Sequence, residues 1–358
     1  MKNDYLSKVA GKTSGILGIK FLFTIVCISS TLSAELLDKL EDELDEIPLE
    51  TTFSEELAAF DTSFLIQQPI TSQEIQLPAP VFELRSPKSS FFTVGLSSLI
   101  PGLGHVYLGD MKTAGALVGS TGAGLGLGFG LSSSSHSKAF IRSTSFLAVE
   151  TTWFYGIYAA YRDVRTYNGQ TGYSYKMPTD SLGDLTSAPF NFRVLKKPEV
   201  WGGLLGSLAI AVGAAYLAFP EENHIQPSLS LKRTLSPFTA LPIGIGEESF
   251  FRGFLQSQLS EWFTPWGGII LSSIAFGVLH IPNAWDLEPQ DRRGYYTTIV
   301  PLITLAGIYD GWLTYKNHSL KESVAIHTWY DCILFTIGSL SSQALIKGRS
   351  EFAIAIPF

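Results

Sequence analysis

Cysteine, charge and basic clusters are all scarce in this sequence. Charged residues make up 16% of the 358 residues and hydrophobic residues 46%, whereas soluble domains average about 25% charged residues. The only two cysteines are Cys27 and Cys332, in apolar segments far apart, so neither a disulfide framework nor a cysteine-based zinc site is available. The lack of a basic cluster excludes a nucleic-acid-binding surface. With 33 glycines and a mean hydropathy of +0.21, this composition favours a polytopic membrane protein.

The N-terminus has the pattern of an export signal. Lys8, Lys12 and Lys20 precede a 14-residue uncharged run, Phe21 to Ala34, which ends in small residues. A membrane-spanning helix needs about 20 apolar residues, so the run is short for one. We therefore predict a signal peptide over residues 1–34, cleaved after Ala34, with an uncleaved N-terminal anchor as the alternative.

The next segment is strongly acidic. Residues 35–88 contain 13 acidic and three basic residues and no long apolar run. A chain of this composition cannot bury enough apolar surface to fold alone. We expect residues 35–90 to form a poorly ordered segment outside the cytoplasm.

Apolar segments dominate the remaining chain. The predicted spans are 91–110, 114–131, 146–161, 200–220, 236–260, 265–280, 295–315 and 320–340. They predict an all-α polytopic membrane helix bundle of about eight transmembrane helices after the signal segment. The predicted parts are a three-helix membrane module (91–168), a polar loop (169–197), a core (198–342) and a tail (343–358). Basic residues within 162–197 favour the cytoplasmic side for this loop, and a bacterial inner membrane is the expected location.

Two glycine patterns occur in the first module. Gly122, Gly126 and Gly130 recur every four residues, with Gly124 and Gly128 interleaved, and this spacing permits close helix packing in lipid. The stretch "PGLGHVYLGDMKTAG" weakly resembles the turn that opens a small family of bacterial membrane hairpin domains. That resemblance implies no chemistry.

Three charges interrupt one apolar segment, in "GEESFFRGFL". A charge at the bilayer centre costs about 2.5–3.5 kcal/mol even on lenient scales, so such residues face inward and indicate function. Glu248 and Arg252 are four residues apart and share a helix face, which predicts an ion pair. Glu247 points elsewhere and has no basic partner on its own helix. We expect it to face a polar cavity, where burial and its like-charged neighbour favour protonation and suit a general base.

Two later segments carry compatible groups. "FGVLH" places Phe276 and His280 one helical turn apart, and "HTWYD" places His327 and Asp331 on one helix face. Each pair alone is more typical of structural hydrogen bonding. Two histidines and several acids on three otherwise apolar helices together predict one shared polar site.

These three motifs resemble those of a known family. "EESFFR", "FGVLH" and "HTWYD" match EExxxR, FxxxH and HxxxN/D of the CPBP intramembrane proteases, which include the type II CAAX prenyl endopeptidases and bacteriocin-processing or immunity proteins. The resemblance covers about residues 236–340. It implies hydrolysis of a peptide or protein substrate at the lipid bilayer.

The resemblance also implies residue roles. Glu247 and His280 would hold and deprotonate the attacking water, while His327 and Asp331 would stabilise the tetrahedral oxyanion. Glu248 and Arg252 would support the site. An ionised Asp331 cannot donate to an oxyanion, so it is protonated, orients His327 or ligates a metal.

Metal use stays open at this stage. Glu247, His280 and His327 suit Zn²⁺ or another divalent metal, but HExxH is absent and the chemistry can also run without a metal. Two other functions compete with a protease: a non-catalytic immunity, binding or scaffold protein, and a transporter that relays protons through Glu150, Glu247 and Asp310. Intact motifs favour the protease, and no internal repeat supports the transporter.

Overall fold

The computed structural model describes residues 86–131, 136–218, 237–287 and 289–346. The predicted signal segment, nearly all of the acidic segment and residues 347–358 lie outside this part. Every regular element in the described part is helical. The α-helices are α1 Ser90–Leu99, α2 Leu103–Leu108, α3 Met111–Gly130, α4 His136–Tyr167, α5 Leu182–Ser187, α6 Phe192–Leu195, α7 Pro198–Ala218, α8 Ala240–Glu248, α9 Gln256–Trp262, α10 Pro265–Leu279, α11 Pro289–Gly294, α12 Val300–Asn317 and α13 Lys321–Ile346.

Shorter turns complete the chain path. Ala188–Phe190, Pro237–Thr239 and Ile281–Asp286 are 3₁₀ helices, while Ser249–Leu255 and Tyr295–Ile299 are π-helical. The first π-helical stretch joins α8 to α9, so residues 240–262 form one continuous helix, called here the motif helix.

The first predicted span, 91–110, is divided between two short helices. The chain turns at Pro101 and Gly102, and Gly102 adopts φ +95°, a conformation that favours glycine. A Cβ atom there would lie 2.7 Å from the Ala114 carbonyl oxygen. The prediction of one span over this segment is therefore wrong, because the Pro-Gly pair ends α1 and folds α2 back towards α3.

Glycines bring α3 against α4, but they are not the predicted ones. A Cβ at Gly124 would lie 2.6 Å from Val149, and one at Gly128 would lie 2.9 Å from Phe146. Nothing lies within 4 Å of the Cβ position at Gly122, Gly126 or Gly130. The contact face is thus the interleaved pair, which has the same spacing of four residues.

The motif helix packs along α4 at two further glycines. Cβ atoms at Gly246 and Gly253 would lie 3.0 Å from Thr151 and 2.4 Å from Tyr158. The Thr151 hydroxyl donates to the Pro242 carbonyl oxygen over 3.0 Å. Residue numbers increase along both helices from the first contact to the second, so the two helices run parallel. Helix α4 covers one whole side of the motif helix.

Helices α10, α12 and α13 cover the other sides of the motif helix. Glycines again permit the approach: Gly268 faces Ser260, Gly311 faces Gln256, and Gly244 faces Thr328. The described residues from Pro87 onwards belong to one compact unit. The charged part of the motif helix is therefore enclosed by four other helices.

One described helix is long and apolar enough to cross a membrane. It covers Pro265–Trp285, with a hydropathy of 1.4, while Ser90–Leu99 and Pro198–Ala214 are shorter apolar helices. The all-α architecture is confirmed for the described residues. The count of eight membrane helices is not confirmed, because the described residues contain one clear candidate span.

Candidate active site

The predicted ion pair is present in the motif helix. Glu248 Oε1 lies 3.4 Å from Arg252 Nη1, and both side chains are fully buried. The Arg252 guanidinium also lies over the Phe276 ring, 4.3 Å from its centroid. Burying two charges is tolerable only when they are paired, so this pair connects the motif helix to α10.

The π-helical stretch lies directly after the two glutamates. It covers Ser249–Leu255 and includes Arg252. Short π-helical segments inside α-helices occur frequently at functional sites. Here the wider turn changes the direction in which the buried Gln256 side chain points relative to the two glutamates.

His280 is oriented by the backbone of its own helix. It lies at the end of α10, and its Nδ1–H donates to the Phe276 carbonyl oxygen over 2.8 Å. This bond fixes the tautomer, so a neutral His280 has its lone pair on Nε2. The ring packs edge-on against Phe276, with centroids 4.6 Å apart.

His327 is the centre of the site. Its Nδ1–H donates to Glu248 Oε1 over 2.8 Å. Its Nε2 lies 3.7 Å from Glu247 Oε2 and 3.5 Å from Asp331 Oδ2. Both ring nitrogens of His327 therefore face carboxylates.

The predicted residues therefore converge. His327 contacts Glu247, Glu248 and Asp331 directly, and its ring centroid lies 6.1 Å from that of Phe276. Since Phe276 also packs against His280, both histidines flank one phenyl ring. The Glu247 side chain is 24% exposed, whereas that of Glu248 is 0% exposed. The outer glutamate can reach a substrate and the inner one cannot.

The two other acids of the possible proton relay, Glu150 and Asp310, differ in burial. Glu150 is exposed on α4, next to Thr151, which packs on Gly246. Asp310 is buried on α12. Among the described residues, no hydrogen bond joins Asp310 Oδ1 to Glu150 or to any other side chain.

Two other histidines make contacts elsewhere in the protein. His105 is fully buried and pairs with Asp163 over 3.2 Å, and His318 Nδ1 lies 3.0 Å from the Lys176 carbonyl oxygen. Both lie outside the site.

The tentative metal ligands do not form a metal-binding cluster. Among the described residues, no group of three His, Cys, Asp or Glu side chains has a suitable arrangement. The Nδ1 atoms of His280 and His327 make hydrogen bonds, as in many metal-bound histidines. However, Glu247 and the two Nε2 atoms do not form one set of metal ligands. We therefore derive no step through a metal.

One central contact was missed by sequence reasoning. Glu248 was assigned only to Arg252, yet it also holds His327, 79 residues away. Helix periodicity shows which residues share a face on one helix, but it cannot show which helices are neighbours. No signal in a single sequence would have revealed this contact.

Fold and site together define a helical protein with a buried glutamate–histidine centre. Comparison with known families then gives one match: residues 231–333 match the model described as type II CAAX prenyl endopeptidase Rce1-like. This confirms the resemblance to the CPBP/CAAX protease family for the segment that carries all three motifs. The family is membrane-embedded and points to a protease. No curated protein and no solved structure matches the chain.

Proposed function

We propose that this protein is an intramembrane endopeptidase that hydrolyses a peptide bond of a membrane-embedded or membrane-proximal substrate. The observation that carries the proposal is the convergence of Glu247, Asp331 and Glu248 on His327. This convergence joins the first and third motifs, and Phe276 joins the second to them. The expected location is a bacterial inner membrane, with residues 35–90 outside the cytoplasm.

Glu247 acts as the general base in this proposal. It takes a proton from a water molecule, whose oxygen attacks the carbonyl carbon of the substrate peptide. His280 Nε2 accepts a hydrogen bond from the same water, because Nδ1 is the protonated nitrogen. Glu247 then passes the proton to the leaving amine nitrogen as the C–N bond breaks.

His327 stabilises the oxyanion. Its Nε2–H faces the exposed side of the site between Glu247 and Asp331, where it can donate to the negative oxygen of the tetrahedral intermediate. Asp331 orients the ring and favours its charge, so it need not itself donate. Glu248 holds Nδ1–H from behind, and Arg252 balances the charge of Glu248.

The test compares the full-length wild type with Glu247→Gln in detergent, against a library of membrane-anchored peptides. Loss of the general base should reduce cleavage by about 10²–10⁴-fold. Glu199→Gln is the matched control, because Glu199 lies outside the site and pairs with Lys316. Both variants must show wild-type unfolding temperatures.

Two outcomes would count against the proposal. Equal cleavage by wild type and Glu247→Gln would show that Glu247 is not the base. Absence of cleavage by the wild type across the library would favour a non-catalytic binding or scaffold protein. A chelator arm answers the metal question separately, since activity after thorough chelation and its recovery with added Zn²⁺ are measured on the same sample.

A further inference from the structure

His280 lies where a helix ends, and its backbone is held by a residue outside the three motifs. Helix α10 ends at Leu279, and His280 is the capping residue after it. Carbonyl groups at the C-terminus of a helix lack partners within the helix, so they need donors from elsewhere. The position of the His280 backbone therefore depends on groups outside α10.

Two donors reach the His280 carbonyl oxygen. The backbone nitrogen of Asn283, in the 3₁₀ turn that follows, donates over 3.0 Å. The Tyr295 hydroxyl donates over 3.3 Å from a position 15 residues further along the chain. The first bond is local and moves with its turn, whereas the second joins the end of α10 to a different element.

Tyr295 is itself firmly placed. It is 1% exposed and packs in one cluster with Ala214, Ala284 and Ile299. It begins the second π-helical stretch, which leads directly into α12. The Asn283 side chain hydrogen-bonds to the Tyr295 hydroxyl and so orients it. The hydroxyl is thus presented to His280 from a packed and oriented side chain.

We propose that Tyr295 is a positioning residue that holds the end of α10 and thereby keeps His280 Nε2 directed at the attacking water. The His280 imidazole is fixed by its Nδ1–H bond to the Phe276 carbonyl oxygen, and the backbone that carries it is fixed by Tyr295. Without the Tyr295 hydroxyl, the last turn of α10 loosens. The Nε2 lone pair then spends less time in the direction that the reaction needs.

The hold of Tyr295 on His280 rests on these contacts, whereas its effect on cleavage rests on the proposed function. Two measurements keep these apart. The first is the pair of ring N–H proton signals of His280 and His327 in ¹⁵N-histidine-labelled full-length protein without substrate. Each signal is assigned by its loss in His280→Gln or His327→Gln. The second is kcat and KM on a cleaved peptide.

Tyr295→Phe keeps the ring and removes only the hydroxyl. It should shift or broaden the His280 Nδ1–H signal and lower kcat about 3–10-fold, because one hydrogen bond is lost. KM should not change, since His280 acts on the water and not on the peptide. The His327 signal should stay in place, because Glu248 holds that ring from the motif helix.

Tyr158→Phe is the matched control. Tyr158 is 0% exposed, and its hydroxyl also donates to a backbone carbonyl oxygen, that of Pro178 over 3.2 Å. This change should leave both histidine signals and kcat as in the wild type. A merely structural role of Tyr295 would lower the unfolding temperature and leave both signals unchanged in the folded protein.

Asn283→Ala is the second variant, because it removes the side chain that orients the Tyr295 hydroxyl. Asn283 is exposed, so this variant decides the matter if Tyr295→Phe does not fold, and it should move the His280 signal in the same direction. A wild-type His280 signal in the folded variants would overturn the proposal, as would an equal change in the His327 signal. A wild type that cleaves nothing would refute the proposed function, while the His280 signal would still decide the role of Tyr295.

Discussion

At the scale of single residues, the three carboxylates of the site differ in burial and in contacts. Glu248 is fully buried and spends Oε1 on His327, whereas Glu247 is partly exposed and keeps no hydrogen bond to a described side chain. Asp331 lies one turn after His327 on α13 and faces the same ring nitrogen as Glu247. Burial thus distinguishes two adjacent glutamates, and the proposed mechanism assigns the exposed one to the reaction.

The role of Asp331 can be tested by replacing it with a residue of the same shape and with an apolar residue. Its Oδ2 lies 3.5 Å from His327 Nε2, and an asparagine oxygen can accept from the same Nε2–H. We expect Asp331→Asn to retain activity within about 10-fold. Asp331→Leu should lose about 100-fold or more, because His327 Nε2 loses the acceptor oxygen one turn away on its own helix. The measurement is kcat/KM on one cleaved peptide.

The critical result is which of these two variants has the higher kcat/KM. Equal losses in both would mean that the negative charge of Asp331 is needed, not its acceptor oxygen. Wild-type activity in Asp331→Leu would remove Asp331 from the mechanism. Cys332→Ser, at the next position and partly exposed, is the control for disturbing this part of α13.

The sequence predicted the local pairs of the site correctly. Glu248 with Arg252 and His327 with Asp331 follow from a spacing of four residues on a helix. The contact between Glu248 and His327 could not be predicted in this way, because it depends on how the motif helix packs against α13. Catalytic and metal-binding roles remain predictions.

At the scale of elements, the motif helix depends on small residues. Its glycines let α4 and α13 approach the backbone, as at Gly253 and Gly244, where added Cβ atoms would lie 2.4 Å from Tyr158 and 2.8 Å from Thr328. Close helix approach through small residues is typical of membrane bundles. It places Glu247 and Glu248 within reach of a histidine on another helix.

Gly253→Ala should destabilise the protein by about 1–3 kcal/mol, because the methyl group meets the buried Tyr158 ring. Gly206→Ala on α7 is the matched control, since nothing lies within 4 Å of its Cβ position. That change should stabilise the helix by about 0.5–1 kcal/mol. Denaturant titration of both variants in detergent measures the two opposite signs.

A common sign for both variants would contradict this packing. The comparison also explains why the predicted glycine face of α3 was wrong. Gly122, Gly126 and Gly130 and the pair Gly124 and Gly128 have the same spacing, so periodicity alone cannot choose between them. The choice depends on where Phe146 and Val149 of α4 lie, which is tertiary information.

At the scale of the whole molecule, α4 lies outside the family segment yet completes the core. The family match covers residues 231–333, and α4 ends at Tyr167.

A buried ion pair joins the end of α4 to the end of the motif helix: Arg165 Nη1 lies 3.2 Å from Glu261 Oε1. Arg165 also lies over the Tyr173 ring at 3.9 Å, and Glu261 accepts from the backbone nitrogens of Ser174 and Tyr175.

The last prediction follows from this arrangement. Residues 198–358 alone should not give a monodisperse protein, because the face of the motif helix at Gly246, Phe250 and Gly253 would lose its cover. Phe250 stacks on Phe154 of α4 with centroids 4.8 Å apart. Co-expression with residues 1–197 as a second chain should restore a folded complex that co-purifies, measured by gel filtration and thermal unfolding.

Arg165→Leu in the chain of residues 1–197 provides the matched test of the ion pair. Breaking a buried pair by removing one partner costs about 3–5 kcal/mol, because the other charge stays buried alone. The variant chain should therefore co-purify poorly, while Arg193→Leu, an exposed cation on α6, should behave like the wild-type chain. If residues 198–358 alone unfold at the temperature of the full chain, α4 contributes nothing to the core, and the interface seen at Gly246 and Gly253 has no energetic weight.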